Sequence, residues 1–131
     1  MDEQTQKKSI LIIDDDTFLI DMYAMKFKEH GFEVITSPST TDALTKLKDG
    51  LKPQVILSDI VMPTINGIDF VRRVKDEKLA PESVVIMLSN QSQNEHVEEA
   101  MKAGADGFII KANVVPSEIY EKVVEILSKK G

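Results

Sequence analysis

The sequence predicts one α/β domain with a doubly wound, five-stranded parallel sheet, and three observations carry that reading. Short runs of Ile, Val and Leu recur along the chain, most of them continuous rather than alternating, as strands covered on both faces should be. Between the runs the apolar spacing changes to that of a helix. The order is strand then helix, five times over. Parallel strands need such crossovers, and right-handed ones place helices on both faces of the sheet.

The strands are expected at Ile10–Ile13, Phe32–Ile35, Val55–Leu57, Val84–Leu88 and Gly107–Ile110. The first helix puts Ile20, Tyr23, Ala24 and Phe27 on one face, and Gly31 stands where it should stop. In the second, Ser39 and Asp42 have capping-box spacing, ahead of Ala43, Leu44 and Leu47, and Gly50 follows. Phe70, Val71 and Val74 mark the third helix; Val97, Ala100 and Met101 mark the fourth, ending near Gly104. Pro116 opens the last, a residue suited to a first helical turn, and Ile119, Val123, Ile126 and Leu127 follow.

With 131 residues the chain fits one domain with a real core. Residues 1–8 read as a solvated tail, 9–128 as the domain, and 129–131 as a frayed end. A net charge of −6 without a basic stripe argues against a nucleic-acid partner held by bulk electrostatics. The absence of cysteine excludes disulfides, thiolate zinc sites and thiol nucleophiles. No apolar stretch approaches a membrane span and no signal-peptide core is visible, so a cytoplasmic protein without membrane contact is expected.

In open α/β sheets ligands bind beyond the carboxyl ends of the strands. The first predicted strand is followed by Asp14, Asp15 and Asp16, the third by Ser58 and Asp59, the fourth by Ser89 and the fifth by Lys111. If the strands are neighbours, carboxylates, a hydroxyl and an ammonium converge on one rim. Carboxylates that converge raise each other's pKa and call for a cation. Asp14, Asp15 and Asp59 suit a hard divalent ion with oxygen ligands, magnesium first and manganese as a substitute. A phosphoryl group arriving there would be screened by the metal, Lys111 and Ser89. Asp59 is the best-placed nucleophile for an aspartyl-phosphate.

These segments together resemble the receiver domain of bacterial two-component response regulators, from Ser9 to Leu127. The resemblance rests on Ile10-Leu11-Ile12-Ile13-Asp14-Asp15-Asp16, Ser58-Asp59-Ile60-Val61-Met62-Pro63 with Gly67, Met87-Leu88-Ser89 and Gly107-Phe108-Ile109-Ile110-Lys111. It implies a flavodoxin-like strand order 2-1-3-4-5. By position it also implies that Asp59 is the phospho-acceptor, with Asp14, Asp15 and the backbone carbonyl of Val61 as further metal ligands. Ser89 would be the hydroxyl that moves onto the phosphoryl group, Phe108 the aromatic that turns inward, and Lys111 the lysine paired with a phosphoryl oxygen. The donor would be a histidine kinase or phosphotransfer protein. The output would be a protein target or a homodimer, engaged through the fourth helix, fifth strand and fifth helix. One departure stands out: Ala112 follows Lys111 where receivers usually carry a proline after a cis peptide. The expectation is either a strained cis Lys111–Ala112 bond or a trans bond with an altered loop through Asn113.

Taken singly, the same residues have plainer readings. Asp16 is a helix-capping or solvated acid, Ser89 a cap for the next helix, Phe108 a core residue and Lys111 a surface lysine. It is the constellation that outweighs them. Two other function classes stand beside a phosphorylation switch. One is a phosphorylation-independent docking module with the same fold, which Ala112 favours. The other is a phosphohydrolase of the haloacid dehalogenase type, which also opens with an acidic strand end. Against it, Phe18 stands where that enzyme pattern needs Thr or Val.

Overall fold

The computed structural model describes residues 8–62, 64–89, 94–111 and 115–130. Strands β1 (Ser9–Ile13), β2 (Glu33–Ser37), β3 (Val55–Asp59), β4 (Val84–Ser89) and β5 (Gly107–Ile110) alternate with five helices. These are α1 (Thr17–Glu29), α2 (Thr40–Lys48), α3 (Gly67–Asp76), α4 (Asn94–Ala103) and α5 (Pro116–Lys130). All strand pairs are parallel and the order is β2-β1-β3-β4-β5. Both the doubly wound architecture and the 2-1-3-4-5 order are therefore as expected.

Side chains that alternate along the strands divide the core in two. Ile10, Ile12, Val55, Leu57, Ile86 and Leu88 pack with Ile20 and Phe27 of α1 and Ile119 and Val123 of α5. Leu11, Ile13, Ile56, Val85 and Met87 face the other way, onto Leu44 of α2, Phe70 of α3 and Ala100 of α4. Each such fully buried Ile, Leu or Phe contributes roughly 1.5–3 kcal/mol. The strand ends are thus held far more firmly by apolar burial than any single polar contact at the rim could hold them.

Several boundaries differ from expectation. Phe32 is not in β2. It closes α1: its N–H donates to Phe27 O at 3.0 Å, Gly31 donates to Lys28 O at 3.1 Å, and Gly31 sits at φ 86°. The two phenyl rings meet edge to face at 5.2 Å. This is a Schellman ending with its apolar contact, and β2 starts after it, at Glu33, and runs to Ser37. β3 and β4 continue through Asp59 and Ser89, so these residues end their strands rather than follow them. The turn from Ser89 to Asn94, where Ser89 was expected to cap the next helix, lies outside the described residues. Residues 129 and 130, expected in a frayed end, belong to the last turn of α5. The Lys111–Ala112 peptide and Asn113 lie outside the described residues. No helix among the described residues is long and apolar enough to cross a membrane.

Asp16 is the N-cap of α1, its carboxylate accepting from the N–H groups of Phe18 at 3.0 Å and Leu19 at 3.2 Å. Asp16→Ala should therefore lower stability by about 1 kcal/mol, and Asp16→Asn much less. Urea midpoints of the three proteins check this.

Candidate functional site

The register of the sheet brings the predicted residues to one rim. β1 and β3 are neighbours, with Ile13 opposite Ser58, so the residues that follow meet at the carboxyl edge. Asp14 is buried (1% exposed) and Asp59 nearly so (8%), whereas Asp15 is exposed. Carboxylate oxygens of Asp14, Asp15 and Asp59 all lie within 4.8 Å of one another. Three hard oxygen donors in that span, two on rigid buried backbone, fit a divalent cation that keeps some of its waters. Asp16, by contrast, is turned away to cap α1.

Lys111 reaches across the sheet to this cluster. Its Nζ donates to Asp14 Oδ2 and to Asp59 Oδ2, both at 2.9 Å. The remaining oxygens are also used: Asp14 Oδ1 accepts from Asp16 N–H at 2.9 Å, and Asp59 Oδ1 from Val61 N–H at 3.4 Å. One ammonium against three carboxylates leaves the cluster net negative, which favours a cation. Burial pushes the Asp59 carboxyl above the usual carboxylate range, against the opposing pull of Lys111. For Lys111 burial acts downward, but the bonds to Asp14 and Asp59 outweigh it and raise the ammonium above its ordinary value.

The other predicted residues stand around these three. Ser89 is buried (1% exposed) at the end of β4, next to Asp59's strand. Val61 projects its side chain into solvent just after Asp59. Phe108 pairs with Met87 in the sheet and packs, half-buried, against the core on the α2–α3–α4 side.

Two residues escaped the sequence reading. Ser37, fully buried, ends β2 beside Asp14. Its carbonyl accepts from Asp14 N–H at 3.2 Å, and its hydroxyl donates to Asp42 Oδ2 at 2.6 Å. Lys46 and Ser37 together hold the Asp42 carboxyl below the usual range. Thr40 is fully buried as well, with its hydroxyl on Ile65 O at 2.6 Å. The strand-end rule points to Ser37 once β2 is given its full length.

Comparison with known proteins agrees with this geometry. Residues 10–124 match the family model described as the response regulator receiver domain. The chain is 37% identical to the chemotaxis protein CheY of Thermotoga maritima, over 93% of this chain and 96% of the relative. It is 30% identical to the phosphate regulon transcriptional regulatory protein PhoB of Pseudomonas aeruginosa, over 95% of this chain but only 53% of the relative. The chain therefore spans about half of PhoB and nearly all of CheY. A CheY-like receiver domain structure from Methanospirillum hungatei superposes with a TM-score of 0.83 at 31% identity, over 96% of this chain and 100% of that one. With five parallel strands in order 2-1-3-4-5, an acidic rim and this match along its length, the chain belongs to the response regulator receiver domain family of two-component signalling.

Proposed function

We propose that this protein is a phosphorylation-dependent switch that accepts a phosphoryl group on Asp59, using a divalent cation, magnesium first. The observation that carries the reading is Lys111 Nζ lying 2.9 Å from both Asp14 Oδ2 and Asp59 Oδ2, two of three carboxylates that converge within 4.8 Å. A docking module with no chemistry gains nothing from burying an ammonium between two acids, since breaking even on desolvation is the best such a pair usually does.

Asp14, Asp15, Asp59 and the Val61 carbonyl would hold the metal, which supplies charge neutralisation for the phosphoryl oxygens. Asp59 Oδ attacks phosphorus of a phosphohistidine in a histidine kinase or phosphotransfer protein. The P–N bond breaks as the P–O bond forms, and the imidazole leaves with its electron pair and takes up a proton from water. Lys111 exchanges an Asp59 oxygen for a phosphoryl oxygen, and the Ser89 hydroxyl donates to another. Burial of Asp59 keeps bulk water from competing for the donor. Hydrolysis of the acyl phosphate ends the signal. Engagement of Ser89 would draw Phe108 inward and change the face of α4, β5 and α5, where a protein target or a second copy binds.

Incubation with magnesium and acetyl phosphate, followed by intact-mass measurement, tests the proposal. The expected result is a gain of one phosphate, lost in Asp59→Asn and lost when magnesium is chelated. No gain under forcing conditions removes the switch and leaves docking, while turnover of a small phosphoester points to a phosphohydrolase.

A further inference from the structure

The N-terminal turn of α2 is fastened to both loops that frame the site. On one side it meets Asp14 through Ser37, whose carbonyl takes the Asp14 N–H and whose hydroxyl is held by Asp42 Oδ2 and, at 3.0 Å, by Ser39 O. On the other, Thr40 Oγ1 donates to Ile65 O at 2.6 Å, a contact between residues 25 apart in sequence. It joins α2 to the β3–α3 loop, which carries Val61.

That loop needs holding. Thr64, next to Ile65, sits at φ 69°, a conformation that is unfavourable for a β-branched residue and persists only where neighbouring contacts over-determine it. Its two ends are fixed by Ile60 N–H on Leu88 O at 3.0 Å and by Gly67 N–H on Ile60 O at 2.8 Å. Thr40 holds the stretch between them. The Thr40 side chain is fully buried, where an apolar residue would fill the same space, and a neutral hydrogen bond adds little net stability. What the hydroxyl supplies is a fixed place for Ile65.

We infer that Thr40 is a positioning residue for this site, setting the β3–α3 loop through Ile65 so that the Val61 carbonyl and the Asp59 carboxylate converge on one point. The inference rests on the metal-dependent phosphoacceptor reading given above. It assigns α2, which contributes no ligand, a role in metal affinity.

The test measures magnesium affinity by calorimetric titration, and the rate of phosphorylation by acetyl phosphate, on the full chain. Thr40→Val keeps the shape and removes the donor; Thr40→Ser keeps the donor and removes a methyl. In Thr40→Val we expect magnesium affinity, and the rate at subsaturating magnesium, to fall about tenfold, as for other groups that orient a metal ligand. Thr40→Ser should keep wild-type affinity and rate although it loses some stability. The inference is overturned if Thr40→Val stays within about twofold of wild type on both measures, well short of such an orienting effect. It is also overturned if Thr40→Ser falls as far as Thr40→Val, because packing would then explain the loss. Should valine prevent folding, Thr40→Ala, which adds no bulk, carries the same criteria. Wild-type protein that binds magnesium but accepts no phosphoryl group refutes the phosphoacceptor reading, and the affinity comparison still decides the role of Thr40.

Discussion

Gly67→Ala should destabilise the protein by about 3 kcal/mol and abolish phosphorylation of Asp59. The reason is space. A Cβ on Gly67 would lie 2.3 Å from the Asp59 carbonyl oxygen, 2.7 Å from Met87 Cε and 2.8 Å from Ile60 Cα. The end of the Met87 side chain can swing away. The two backbone atoms cannot, because Asp59 and Ile60 are locked to β4 and Gly67 N–H is itself bonded to Ile60 O. α3 must therefore retreat from the strand, or the strand end must shift and carry the Asp59 carboxylate with it. Urea unfolding with an unchanged slope would show the loss of stability, and intact mass would show the loss of the phosphate. Gly31→Ala is the control. Nothing lies within 4 Å of the added carbon, but the residue sits at φ 86°, so about 1–2 kcal/mol is lost while phosphorylation survives. A Gly67→Ala protein as stable as wild type would mean that α3 does not press on Asp59.

The fold and the residues gathered at the carboxyl rim of the sheet were legible because they depend on local rules. Continuous apolar runs such as Ile10–Ile13, alternating with helical spacing, suffice to predict a covered parallel sheet, and the strand-end rule then collects Asp14, Asp59, Ser89 and Lys111. Where the reading fell short, tertiary contacts or backbone geometry decided. Phe32 looks like the start of a strand, but its ring packs on Phe27 and it ends α1 instead. The stop of α3 was hidden too: Lys78 takes the left-handed position at φ 53°, where α1, α2 and α4 use Gly31, Gly50 and Gly104. The capping box at Ser39 is half made. Ser39 Oγ accepts from Asp42 N–H at 3.1 Å, but the Asp42 carboxylate is drawn off to Ser37 and Lys46. Thr40 and Ser37 carry no motif at all. Thr40 acts through a partner 25 residues away, which no short window along the sequence contains, and Ser37 comes to the rim only once β2 is given its full length.

Lys111→Met should lower stability by about 3 kcal/mol at neutral pH, the usual loss when one partner of a buried ion pair is removed. The variant keeps two buried carboxylates, Asp14 and Asp59, without the ammonium they share. The pH dependence identifies the cause. The Asp59 carboxyl is already raised by burial, so its ionised form opposes folding. The stability associated with this group is complete below its unfolded pKa of about 3.9 and is lost as pH rises through the folded value. Without Lys111 the folded value moves higher still, so the deficit of the variant should be greatest near pH 7 and shrink in acid. At the other end, Lys111 is raised in the fold, so what it contributes is complete below about pH 10.4 and fades as pH climbs through its folded value. The gap between wild type and variant should close there too. The double variant Asp59→Asn/Lys111→Met should recover much of the loss, because only Asp14 then remains uncompensated. Thermal unfolding of the metal-free proteins across this range makes the comparison. A Lys111→Met protein as stable as wild type at pH 7, or one whose deficit deepens in acid, would mean that the ammonium does not balance these acids.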